Sequence, residues 1–423
     1  MLTGTLALAL AIVSRPVTER STRPLDCAIG AALAVCAIQL VPLPPGVVSA
    51  VSPMRGEVER ALRLDAGRWL TVSLSPADSW HALAVFGGSV LTYLAGRTMF
   101  ASRGVRGVCR AVAWLGLLLA GTAIAQRVAS PDRIFGTWEV PAGAFPFGPF
   151  VNRNHCATWL LMAIPLVFGY AGARVPRPSG APRTSLPALV QAVDGRTLVL
   201  LLASTVMTLA LMLSMSRSGL VAFGATAAVF AVVIRPRVER TTAVVTTTIA
   251  AIALGVAVWF ADTASLMLRF SEQIVGGRFG RLAIWQDTLA IVRDFWLTGV
   301  GVGSYATAMV LYQTGERTYH YNQAHNHYVQ VAAEGGILLT GAVAAGGLLF
   351  ARLAWRHLRA DRSGVFWIRA GAAAGLAGVA VQSLWETGLR MPANAQLAAV
   401  LAALLTQHGR GAAGAESGTG RAG

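Results

Sequence analysis

The sequence predicts an all-α polytopic integral membrane protein with about 11–12 transmembrane helices. Three observations lead there. The 423-residue chain is 55% hydrophobic and only 13% charged, too apolar for an ordinary set of soluble domains. It divides into about eleven apolar runs, most approaching the roughly 20 residues needed to cross a 30 Å hydrocarbon core. Its formal charge of +16 comes from 35 basic residues, all of them arginine, against 19 acidic ones. Those arginines concentrate on alternate connections, which is how a membrane protein encodes its orientation.

In chain order the runs are Leu2 to Val13, Leu25 to Leu43, Trp80 to Gly96, Val108 to Ala125, His155 to Ala171 and Thr197 to Met215. Gly219 to Ile234, Thr242 to Ala261, Gly336 to Trp355, Val365 to Leu384 and Ala393 to Gln407 follow. Five short connections carry clustered arginine: Arg15, Arg20 and Arg23; Arg97, Arg103, Arg106 and Arg110; Arg174, Arg177, Arg183 and Arg196; Arg235, Arg237 and Arg240; Arg352, Arg356, Arg359 and Arg362. These are read as cytoplasmic, and the longer loops between them, with mixed charge and aromatic residues, as outward. The first run is short and has neither the charged start nor the small-residue cleavage site of a secretory signal, so it reads as a short or incomplete span. The chain then comprises an N-terminal bundle over residues 1–261 (about eight spans), a large outer loop over 262–335, C-terminal helices over 336–407 (about three spans) and a disordered cytoplasmic tail over 408–423.

Cys27, Cys36, Cys109 and Cys156 form no CxxC pair and read as small apolar residues in or beside spans. Three outward connections are more than turns. Gly46 to Ser79 contains an amphipathic stretch (Val58, Ala61, Leu62 and Leu64 among Arg55, Glu57, Glu59, Arg60 and Arg63) that could lie flat at the interface. Ser130 to Asn154 is aromatic and rich in Pro and Gly, ending in "GPFVNRNH". In the largest loop, Leu282, Trp285, Leu289 and Val292 fall on one face of a predicted helix. The "TGVGVGS" string at Thr298 to Ser304 then breaks that helix. It is a weak phosphate cradle, since no GK[ST] follows and no strand precedes it.

Chemistry gathers in two strings. "SMSRSG" at Ser214 to Gly219 puts Arg217 in a short turn between two spans, where a guanidinium costs free energy unless it reaches water or an anion. "AHNHYVQVAAEGG" crowds His325, Asn326, His327 and Glu334 at the mouth of the next span, with His327 and Glu334 on one helical face. Arg278 and Arg281 could join Arg217 in one positive pocket on the outer side, against the inside-positive bias. HExxH, DxD and carboxylate clusters are all absent from the sequence, so nothing calls for a metal.

Together "PFGPFVNRNH", "LSMSRSGL", "GRLAIWQDTLAIVRDFWLTGVGVGSY", "AHNHYVQVAAEGGIL" and "LWETGLRMPANA", in this order over approximately Leu25 to Leu405, resemble the O-antigen ligase and polymerase superfamily of bacterial envelope glycosyltransferases. The resemblance implies a glycosyltransferase C-like helical membrane fold and metal-independent, cofactor-free chemistry. The donor would be a glycan on undecaprenyl pyrophosphate at the periplasmic leaflet of the inner membrane. The acceptor would be a hydroxyl on lipid A core or on another lipid-linked glycan, with membrane lipids as surroundings and no nucleic acid. It further implies that Arg217 and Arg281 grip the pyrophosphate and that His325 assists the acceptor. Arg278, Asn326, His327, Arg153 and Asn154 are the substrate-binding candidates, while Glu386 and Asn394 read as braces of an outer turn. The competing class is a lipid or solute transporter or flippase. The spans argue against it, because Arg369, Gln382 and Gln396 lie toward span ends and no internal repeat is evident.

Overall fold

The computed structural model describes residues 21–61, 69–141, 144–175, 193–260, 281–314 and 320–407, with Pro187 and Gln191. The expected first span, the tail from residue 408, Leu62 to Leu64 and Arg278 lie outside these residues.

The protein is an all-α polytopic membrane protein. Its elements in order are α1 (Arg23–Ile38), α2 (Pro45–Val51), α3 (Pro53–Ala61), α4 (Pro76–Arg103), α5 (Arg106–Ala129), the two-residue strands β1 (Arg133–Ile134) and β2 (Trp138–Glu139), and α6 (Arg153–Arg174). Then come α7 (Gly195–Leu213), α8 (Arg217–Ile234), α9 (Arg240–Phe260), α10 (Arg281–Asp294), α11 (Tyr305–Tyr312), α12 (His327–Ala360), α13 (Val365–Gln382) and α14 (Pro392–Thr406). Among the described residues, 7 helices are long and apolar enough to cross a membrane: Pro76–Ala101, Arg106–Ala129, Arg153–Arg174, Gly195–Leu213, Arg217–Arg237, His327–Ala360 and Val365–Gln382. α14 is apolar but has only 15 residues, and α1 has 16, so both fall short of the length expected of them. Prolines in the first turn of α1, α4 and α14 cost no hydrogen bond there, since that turn's amides have no helical partner.

Close approach of backbones sets the packing. α13 lies against α6, and glycines form the contact from both sides. A Cβ at Gly371 would overlap the Pro165 carbonyl, one at Gly169 would overlap the Trp367 carbonyl, and one at Gly375 would lie 3.0 Å from the Met162 Cα. Gly378 gives α8 the same access to α13, at the Thr226 hydroxyl. Without water to drive association between spans, such small-residue contacts let dispersion and packing hold helices together. The surrounding core includes Leu160, Leu161, Met162, Leu166, Met207 and Leu211, all fully buried. Arg369, near the start of α13, is also buried, with its charge met by Asp361 at 2.8 Å and by the Gln407 carbonyl.

In two helices with amphipathic sequence the buried face includes polar residues. In α10 the buried residues are Ile284, Asp287, Thr288 and Ile291, whereas Leu282 and Leu289 are 44% and 57% exposed. Asp287 is buried because Thr314 donates to it from its hydroxyl at 2.7 Å and its amide at 3.2 Å; Thr288 meets the Tyr305 hydroxyl at 2.7 Å. In α3 the inward residues are Arg55 and Gly56, and Ala61 is exposed. Arg55 can be buried because it pairs with Glu59 and donates to the Thr71 carbonyl. Cys36, Cys109 and Cys156 are buried free thiols, but Cys27 is exposed.

Gly371→Val should force α6 and α13 apart, costing about 1–3 kcal/mol or more by overpacking. The thermal midpoint of purified protein should fall accordingly, while Gly87→Ala, where a Cβ meets nothing, should leave it nearly unchanged.

Candidate active site at converging helix ends

The N-termini of α6, α8, α10 and α12 meet the turn after α13. Three of these starts have a local cause. The Asn152 side chain caps α6 by accepting the Asn154 amide, Ser216 caps α8 by accepting the Gly219 amide, and Asn326 caps α12 by accepting the amides of Tyr328 and Val329. The first residues of the four helices are Arg153, Arg217, Arg281 and His327. Helix N-termini carry partial positive charge, and here three of the four also begin with a guanidinium.

Glu386, 1% exposed, sits in the middle. Its Oε1 accepts from Arg281 Nη2 at 2.7 Å and from Asn154 Nδ2 at 2.7 Å. The same Asn154 accepts from the Ser216 hydroxyl at 2.7 Å. One chain of hydrogen bonds therefore runs from the turn before α8, through the start of α6, to Glu386 and on to the start of α10. Arg153 feels the charges of Arg217, Arg127 and Glu386, and stacks 4.9 Å over the Phe145 ring. Arg281 and Arg153 thus lie beside one buried carboxylate, and Arg217 and Arg127 lie near Arg153.

His325 lies on the open side of Glu386. Its backbone takes the left-handed conformation, φ 49, which is uncommon for a non-glycine residue and marks a position imposed by its surroundings. Those surroundings are explicit. The carbonyl of Ala324 accepts from Trp285 Nε1 at 2.9 Å, the Ala324 amide donates to Gln330 Oε1 at 3.0 Å, and the Asn326 cap follows at once. Downstream, the His327 amide donates to the Ser383 carbonyl at 2.8 Å and the Tyr328 hydroxyl to the Ala380 carbonyl at 2.7 Å, laying this segment along the end of α13. His325 Nδ1 then stands 3.8 Å from Glu386 Oε2.

The glycine-rich string supports the site from behind. Gly299, Gly301 and Gly303 have positive φ, and a Cβ on any of them would overlap neighbouring atoms. The amides of Val300 and Gly301 donate to the carbonyls of Ala333 and Glu334, that of Val302 to Gln39 Oε1, and that of Ser304 back to Gly301. These donors are consumed inside the protein, so the loop is a clamp and offers no phosphate cradle. α12 is interrupted where the clamp grips it: Gly336 is non-helical at φ 57, and the Ile337 amide donates to the Trp296 carbonyl. The helix consequently starts at His327, nine residues before the span expected from Gly336. Buried Glu334 pairs with Arg390 at 2.6 Å and accepts from Gln330 Nε2 at 3.1 Å, and the buried His327 ring feels the charges of both. Burial also raises the Tyr305 hydroxyl above the ordinary phenol range, keeping it protonated against Thr288.

Of the residues singled out in the sequence, Arg217, Arg281, Arg153, Asn154 and His325 share this site. Asn154 and Asn326 use their side chains on protein partners, and His327 faces Glu334 and Arg390. Glu386 occupies the centre, a place that its reading as a turn brace did not suggest; Asn394 does brace that turn, donating to the carbonyls of His155 and Gly388. Ser216, Arg127 and His155 also belong to the surroundings. Ser216 and His155 were flagged only by standing beside Arg217 and Asn154 in the quoted motifs, and nothing in the sequence ties Arg127 to the others. Among the described residues, no group of three His, Cys, Asp or Glu side chains is placed to hold a metal ion.

Residues 202–344 match the family model for O-antigen ligase. Over these residues the chain is similar to the O-antigen ligase/polymerase superfamily. The matched stretch takes in Arg217, Arg281 and His325, whereas Asn154 at the start of α6 and Glu386 in the turn after α13 lie outside it. No curated protein sequence matches the chain.

Trp285→Phe removes the donor that holds the Ala324 carbonyl, which should cost about 0.5–1.5 kcal/mol. Hydrogen exchange should accelerate over residues 320–326 while the spans keep their protection.

Proposed function

We propose that this protein is a membrane glycosyltransferase of the O-antigen ligase/polymerase type. It moves a glycan from undecaprenyl pyrophosphate to an acceptor hydroxyl at the periplasmic face of the bacterial inner membrane. One observation carries the reading: Arg153, Arg217 and Arg281 gather at helix N-termini beside a histidine, at one end of the helical bundle.

The residues divide the work as the reaction requires. As the glycosidic bond breaks, its electron pair leaves with the pyrophosphate, and negative charge grows on the phosphate oxygens. Guanidinium groups offer planar forks of donors to such oxygens, and donors fixed in advance stabilise the developing charge without reorganising. Arg217, exposed at the first position of α8, and Arg281, 43% exposed, present themselves to that group; Arg153 adds a third cation. Each charge-assisted hydrogen bond contributes about 1.5–3 kcal/mol. His325 accepts the proton of the incoming hydroxyl as its oxygen attacks the anomeric carbon, a role worth about 100–10,000-fold in rate. No step requires a metal. The acceptor is lipid A core for a ligase or a second lipid-linked glycan for a polymerase, and both use this same chemistry.

Arg217→Ala, Arg281→Ala and His325→Ala should each leave the protein in the membrane of cells lacking the native gene yet abolish glycan transfer, with lipid-linked glycan accumulating. Unchanged transfer in all three would refute the assignment, and disappearance of the donor from the outer leaflet would point to a flippase. In a purified system with lipid-linked oligosaccharide, a ladder of products identifies a polymerase and a single capped species a ligase. Chelator should leave either rate unchanged; strong inhibition would contradict metal-independent chemistry.

A further inference from the structure

Glu386 is half satisfied. Oε1 holds Arg281 and Asn154, whereas Oε2, buried, has no hydrogen-bond partner among the described residues. Across 3.8 Å stands His325 Nδ1, also buried and also without one. A buried carboxylate oxygen and a buried ring nitrogen left unpaired are both costly, and each is the complement the other lacks. The gap is about 1 Å beyond a hydrogen bond, and catalytic hydrogen bonds in unliganded sites are often long and tighten when substrate binds.

We propose that Glu386 is the positioning residue of His325, accepting Nδ1–H at Oε2 so that Nε2 faces the acceptor hydroxyl as an unprotonated base. The inference rests on the glycosyl-transfer reading and adds a role for a residue that reading does not use. In the step, the acceptor O–H proton passes to His325 Nε2, the hydroxyl oxygen bonds to the anomeric carbon, and the electron pair of the broken bond leaves with pyrophosphate. Nδ1–H stays on the ring, and the adjacent carboxylate stabilises the imidazolium that forms. Which ring nitrogen carries the proton in neutral histidine is set by the hydrogen bond the other makes. Oε1 anchors the carboxylate through Arg281 and Asn154, and the Ala324 clamps hold His325 in its left-handed conformation, so neither partner of the pair is left to rotate freely. Among the described residues the competing partner is His155, whose Nε2 is likewise unpaired and which feels the charges of both Glu386 and His325.

A double-mutant cycle on the purified full-length protein tests this, with lipid-linked oligosaccharide as donor and a glycan acceptor. Glu386→Gln keeps an Oε1 acceptor for Arg281 and Asn154 but cannot orient His325 in the same way. It should lower kcat about 100-fold, by analogy with amide replacement of an orienting carboxylate, with donor KM within about threefold of wild type. In a His325→Gln background the same substitution should change the rate no further, because the residue it acts through is gone; in a His155→Gln background it should keep its full effect. A full additional loss on top of His325→Gln, a loss confined to KM, or coupling to His155 in place of His325 would overturn the proposal. Wild-type transfer by His325→Gln alone would instead bring down the glycosyl-transfer site itself, so the two failures are distinct. Should Glu386→Gln not fold, 15N spectra of histidine-labelled wild-type protein, with His325→Gln for assignment, decide the matter. A neutral His325 ring protonated at Nδ1 supports the pairing, and one protonated at Nε2 refutes it.

Discussion

The crossing of α6 and α13 is the contact on which the site depends. Gly169, Gly371 and Gly375 remove the side chains that would hold the two backbones apart, and the helices meet at the distance of main-chain atoms. The consequence appears one helix end away. The Asn154 carbonyl at the start of α6 accepts from Gln382 Nε2 at the end of α13 and from the Thr158 hydroxyl, and that hydroxyl also donates to Gln382 Oε1. Gly388, in the turn beyond, has room for no Cβ against the same Thr158. These contacts bring Glu386 to Asn154. A wider crossing would leave a buried carboxylate without its donors, and the arginines would have no common centre.

A second lock lies at the glycine clamp. Gln39, just past α1, donates to the carbonyls of Thr298 and Glu334 and accepts the Val302 amide, so a single buried amide ties α1, the glycine clamp and the start of α12 together. The serines 73, 79 and 304 add a small buried hydroxyl cluster that fastens the same loop to the start of α4. The polar atoms here are paired within the protein, which makes them supports. The polar atoms at Glu386 and His325 are only partly paired among the described residues.

Much of this was legible beforehand because the bilayer reads sequence coarsely. Length and apolarity determine which segments can span, and helices over Arg153–Arg174, Gly195–Leu213 and Val365–Gln382 follow the apolar runs within a few residues. Arg217, Arg281 and His325 stood out because charge or imidazole beside a span demands a reason. The amphipathic faces of α3 and α10 were less legible. Apolar periodicity assumes that polar residues face outward, and Asp287, Thr288 and Arg55 face inward because each finds a partner on another segment.

Taken alone, the sequence determined the class of the protein, most of its helices and the identity of its exposed cations, since each of these follows from local composition over roughly 20 residues. The tertiary structure decided what those cations surround. Glu386 is 105 residues from Arg281 and 232 from Asn154, and its role depends on which oxygen they occupy and which they leave bare. A carboxylate in a turn has no local signature of that kind. Only the packing of distant helices makes it buried, half-paired and adjacent to a histidine.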